Sequence, residues 1–228
     1  MPLPRRSPLP LGACDESGLS RLELLVLVGL LLVLAGVAWS WMSGWLEHAR
    51  VNRAVENART INTLLSQYAT DNDGVYPVGL DTSAPGKSEG IARNLLANNY
   101  APDAAVFAAG SAAPYRGASP DFSGLTAANI SWDFTAGANV TTGITSDASD
   151  YLPILYTTGE VVDYASAQSH GLILSPSGEG PFGHEGVVVA YKSGNVLFIP
   201  AQPGRKEIPR TFISSNFKDT RSYTQIKP

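Results

Sequence analysis

Three regimes of hydrophobic and polar positions follow one another along the chain. From Leu24 to Leu46 there are 23 consecutive residues without Asp, Glu, Lys, Arg or His, dominated by Leu, Val, Ala and Gly. As a helix this run would be about 34 Å long at roughly 1.5 Å per residue, which predicts a transmembrane segment. Beyond Leu46 polar residues return without a helix breaker. Val51, Val55, Ala58, Ile61, Leu65 and Tyr68 recur every three or four positions, the stripe of an amphipathic helix. The helix is predicted to run from about Leu22 to Tyr68 or Thr70, with Asp71-Asn72-Asp73-Gly74 as its stop.

The third regime is shorter in period. A second helix is predicted over about Ser88 to Asn98, and strands over 130–134, 152–156 and 171–174. Gly186 to Tyr191 and Val196 to Ile199, separated by Lys192-Ser193-Gly194-Asn195, read as a hairpin whose apolar face receives the Val51-to-Tyr68 stripe. Residues 108–149, rich in Ala, Gly, Ser, Thr and Pro, are expected to be a loop region with short strands, anchored by Tyr115, Trp132 and Phe134. The tail, 200–228, carries a strand candidate at Thr211–Ser214 and is expected either to add an edge strand or to form a surface tail.

Composition sharpens this partition. Of 228 residues 44% are hydrophobic and only 16% charged, and the charge is unevenly partitioned, with none of it in the first regime. A net charge of -4 argues against nucleic acid as a partner. Cys14 is the only cysteine, so no intrachain disulfide can form. Trp39, Trp41 and Trp45 cluster near the end of the apolar run, where indoles suit a membrane interface. Arg5, Arg6 and Arg21 precede the run and Arg50, Arg53 and Arg59 follow it, so the basic residues leave its orientation open.

Glu23 is the last charge before the apolar run. With its neighbours, Gly18-Leu19-Ser20-Arg21-Leu22-Glu23-Leu24-Leu25-Val26, it resembles the processing and methylation motif of type IV prepilins and type II secretion pseudopilins. Leu19 stands where Phe is commonest in that family, and Arg21 is a charge in a usually uncharged segment. The Tyr76-Pro77 region after the acidic, Gly-containing turn is similar to the major pseudopilins. The resemblance implies an α+β, pilin-like fold, with a long N-terminal helix packed on a small antiparallel sheet. It further implies cleavage after Gly18, N-methylation of Leu19, and an assembly role for Glu23 opposite a neighbouring subunit's N-terminus.

On that reading 1–18 is a leader, 19–46 a membrane and filament-core helix, 47–70 its amphipathic continuation and 71–228 the exposed domain. The implied function is a structural, non-enzymatic subunit of a type II secretion pseudopilus or type IV pilus-like filament. It would sit in the bacterial inner membrane as a single-pass protein with its C-terminal domain periplasmic or extracellular. Its implied partners are a prepilin peptidase and N-methyltransferase, other pilin or pseudopilin subunits, an inner-membrane platform with a separate ATPase, and the lipid bilayer. The alternative is an uncleaved single-span protein presenting an extracytoplasmic binding domain.

Catalytic signals are weak. His170 and His184, with Asp163, Glu179 and Glu185, match no zinc spacing, and no phosphate-binding Gly-rich motif is present. Asp71, Asp73 and acids of later loops could supply oxygen ligands for calcium, but they define no ligand set, so no metal-ligating or catalytic residue and no cofactor is assigned.

Overall fold

The computed structural model describes residues 21–79, 86–110, 112–117, 122–164, 173–176, 180–183, 185–201, 219 and 221–228; the side chains of 38–47 fall outside this description. The chain divides into two units, Met1–Leu46 and Glu47–Pro228.

In the first unit the described residues belong to helix α1, whose full extent is Arg21–Asp71, 51 residues. Glu23 lies in its first turn, where a carboxylate complements the exposed N–H groups of a helix start. From Leu22 to Val37 the large apolar side chains are exposed. Among the described residues no helix is long and apolar enough to cross a membrane. This overturns the transmembrane helix, the single-pass inner-membrane location, and the single-span alternative. The pilin-like fold, which rests on such a helix, is not retained either.

The second unit is α+β. Its part of α1 carries the stripe seen in the sequence: Ala58, Ile61 and Leu65 are buried, and Val51, Val55 and Tyr68 pack at the margin of the core. The helix ends where Asp73 and Gly74 take left-handed backbone angles, φ 53° and 77°, and the Gly74 N–H bonds back to the Ala69 carbonyl at 2.7 Å. A side chain at Gly74 would also collide with Ser146, so glycine is needed there for two reasons. Helix α2, Ser88–Ala97, buries Ile91, Ala92, Leu95 and Leu96 at helical spacing.

Among the described residues seven strands follow: β1 (Trp132–Ala136), β2 (Pro153–Thr157), β3 (Glu160–Asp163), β4 (Ile173–Pro176), β5 (Gly186–Tyr191), β6 (Val196–Pro200) and β7 (Thr224–Ile226). Five form one antiparallel sheet in the order β6-β5-β2-β1-β7, and β3 with β4 forms a second, two-stranded sheet. The expected hairpin is β5–β6, in register from Gly186↔Pro200 to Ala190↔Val196, and its turn closes through the Gly194 N–H to the Tyr191 carbonyl. The Asn62 amide, buried on α1, donates to the Tyr191 carbonyl at 3.0 Å and so ties the helix to the end of β5. Strand β3 was not expected, and β7 was expected only as an edge strand somewhere in the tail. The edge strand of the tail is Thr224–Ile226; the candidate at Thr211–Ser214 lies outside the described residues.

Candidate functional site

The residues singled out in the sequence do not converge on one described site. Gly18 and Leu19 lie outside the described residues. Glu23 is exposed on α1, and Trp39, Trp41 and Trp45 belong to α1 with side chains outside the description. What the described part of the first unit offers is the apolar surface itself. Leu24, Leu25, Val26 and Leu27 are all about half exposed or more. Four consecutive residues at 3.6 per turn already step around the whole helix. The apolarity is therefore circumferential, not a stripe.

In the second unit two places carry chemistry. One is a cleft of about 320 Å³ between α1 and the segment after α2, lined by Arg53, Asn57, Ala105, Val106, Ala108 and their neighbours to Pro114. Arg53 and Asn57 are one helical turn apart. Asn57 spends one amide hydrogen on the Ala108 carbonyl at 3.0 Å. The opposite wall is built of Ala, Gly, Pro and Val106, so it presents small apolar side chains and backbone. It is held by Ser131, whose buried hydroxyl accepts from the Ala109 N–H at 2.9 Å and donates to the Ala109 carbonyl at 3.1 Å. The described lining supplies a cation and hydrogen-bonding groups, which suit the cleft to binding.

The other place is a polar network on the face of the large sheet that Asp133 and Thr135 share. Side chains alternate along a strand, so Trp132, Phe134 and Ala136 occupy the opposite, apolar face. Thr135 donates its hydroxyl hydrogen to the Pro153 carbonyl at 2.5 Å, and a carbonyl can only accept. The 2.6 Å contact between Thr135 Oγ1 and the Tyr164 hydroxyl is then donated by Tyr164, and the 3.1 Å contact between Tyr164 and Tyr156 by Tyr156. The order of the chain is fixed by its end. Burial raises the ionisation of both tyrosines well above the ordinary range, so both stay neutral.

Asp133 is fully buried beside them. Its Oδ2 accepts from the Gln225 amide at 2.7 Å, whereas its Oδ1 makes no hydrogen bond. Burial pushes the carboxyl up to about 6, against the opposing pull of the Thr158 hydroxyl, the Gln225 amide and the Lys227 charge. Sequence reading placed this residue in a strand but assigned it no role. The only signal was an acid between Trp132 and Phe134, and its covering residues come from far along the chain.

Near the surface a cluster of charged side chains is internally paired. Asp219 accepts from the Tyr223 hydroxyl at 2.5 Å and from the Ser149 and Arg221 backbone N–H groups, and Arg221 also bridges to Asp147 at 3.0 Å. Burial alone would raise Asp219, but these donors hold it below the usual carboxylate range. Its oxygens are thus engaged by protein donors. Asp71 accepts from the Tyr100 hydroxyl at 2.9 Å. Among the described residues no group of three or more His, Cys, Asp or Glu side chains is placed to hold a metal ion.

No family model matches the chain, and neither curated proteins nor solved structures provide a match. The resemblance to prepilins and pseudopilins is accordingly withdrawn. It rested on a short motif whose specificity came from the membrane helix behind it, and no such helix is found among the described residues. The pseudopilus or pilus subunit function falls with it.

Proposed function

We propose that this protein is a non-catalytic, self-associating protein in which the apolar part of α1 packs against the same segment of other copies. The observation that carries this reading is the twelve large apolar residues exposed between Leu22 and Val37. A helix apolar on every side needs apolar surroundings on every side. One partner helix would cover only one side of it, so the arrangement favours a bundle of several copies.

The energetics permit this. Burying a Leu or Val side chain from full exposure is worth about 1.5–3 kcal/mol. For twelve side chains that start half to three-quarters exposed, the gain is on the order of 15 kcal/mol. Association costs roughly 4–15 kcal/mol in lost freedom, so close packing among copies is favourable whereas a partial contact is not.

The test is the oligomeric mass of the full chain by light scattering or sedimentation, with and without Leu31→Lys. The reading expects a multimeric species that the substitution converts toward monomer. A monomeric wild-type protein would overturn it, as would a protein that binds phosphatidylcholine vesicles as single copies through this segment.

A further inference from the structure

The polar face of the large sheet is closed by long-range partners. Gln225 on β7 donates to Asp133 on β1, and its carbonyl oxygen faces the Val162 N–H of β3 at 3.4 Å. Tyr164, just beyond β3, reaches back to Thr135 and Tyr156. One amide side chain and one phenol thereby join the two sheets, and the group at the centre is a carboxyl with no access to water and one oxygen without a hydrogen bond. A carboxylate in such a place is poorly compensated, because against its burial stand the Gln225 amide and the pull of the Thr158 hydroxyl, while Oδ1 makes no hydrogen bond and no water reaches it.

We infer that Asp133 is an acid-stabilised latch: protonated, it lets β7 and the β3–β4 sheet stay closed over the polar face, and its ionisation loosens them. The groups that face it leave no other candidate for the titration. From β2 comes Tyr156 and from beyond β3 comes Tyr164, both held neutral by burial; Thr158 and Gln225 do not titrate; Lys227, beyond β7, is the cation acting on it. The neutral acid keeps Oδ2 as an acceptor for Gln225 and needs no second strong donor. The ionised form is better served by water, which it reaches only when β7 or β3 moves aside.

With the closed carboxyl at about 6 and an opened one at the ordinary 3.8, linkage makes the opening constant rise about tenfold between pH 5 and pH 7.5. Hydrogen exchange of the Val162 amide and of the β7 amides paired with β1, corrected for the intrinsic pH dependence of exchange, reads this opening in the full-length protein. The expected result is that about tenfold rise, absent in Asp133→Asn. In parallel, carbon-detected NMR of the wild-type Asp133 carboxyl should show a midpoint between 5 and 7, a readout that does not depend on the variant folding. A carboxyl midpoint near 4, or exchange that is unchanged between the two pH values, would overturn the latch.

Discussion

Replacing Ser131 by Ala tests how the cleft segment is held. The serine is 2% exposed, and its hydroxyl makes both halves of a reciprocal pair with the backbone of Ala109. The two bonds are not equal in consequence. The Ala109 carbonyl has a second donor, the Ala112 N–H at 3.1 Å, so it remains satisfied in the variant. The Ala109 N–H is left with an empty place where its acceptor stood. Losing a satisfied bond typically costs about 0.5–1.5 kcal/mol and stranding a buried donor about 1–3 kcal/mol, so Ser131→Ala should lose about 2 kcal/mol. The backbone of the site argues against relaxation, since the Ser131 N–H and carbonyl are themselves bonded to Phe107 and Thr158. Urea unfolding measures the loss as a lower midpoint at unchanged slope. A change below about 0.5 kcal/mol would refute the reasoning, because it would mean that the Ala109 N–H finds another partner or water at no cost.

Two further outcomes follow from the second unit. Ile61→Ala removes a side chain with no exposure from the α1 stripe and should cost about 2–5 kcal/mol in the same urea experiment, the range for truncating a buried aliphatic residue. Asp133 makes stability depend on pH in an unusual direction for an acid. Its folded-state value, about 6, lies above the ordinary 3.8, so between these values the folded protein holds more protons than the unfolded one. The contribution is therefore fully present below about 3.8 and is lost as pH rises through about 6, by about 3 kcal/mol in total. The difference in stability between Asp133→Asn and wild type should grow in favour of the variant from pH 4 to pH 7; a flat difference would contradict the burial of an uncompensated carboxyl.

The features legible in the sequence were those set by local pattern. The stripe from Val51 to Tyr68 has a 3.6-residue period because one side of α1 meets the core, and the Asp73-Gly74 stop shows because few residue pairs accept left-handed angles. Strands β5 and β6 showed through β-branched runs about a Gly-containing turn. The position of strand β7 did not show, because Thr224–Ile226 is only three residues long and gains its place by pairing with β1, nearly ninety residues earlier. Asp133 was hidden for the same reason. Alternation alone would give it to solvent, and the groups that act on it, among them Gln225, Thr158, Tyr156 and Tyr164, are none of them sequence neighbours. The apolar run misled in the opposite way. Its composition was plain, but composition says that a helix must be surrounded by apolar matter without saying whether lipid or protein supplies it.

The central claim is that protein supplies it, and cross-linking between copies tests that most directly. A single cysteine placed by Leu31→Cys, in a chain whose one native cysteine is removed by Cys14→Ser, reports whether the segments of neighbouring copies approach one another. A disulfide can form only where the two α-carbons come within about 7 Å. A cysteine placed at the exposed Thr63 serves as the control. The account predicts disulfide-linked dimers in high yield at position 31 and few at position 63. Equal, low yields at both positions, at concentrations where the protein is fully folded, would contradict it.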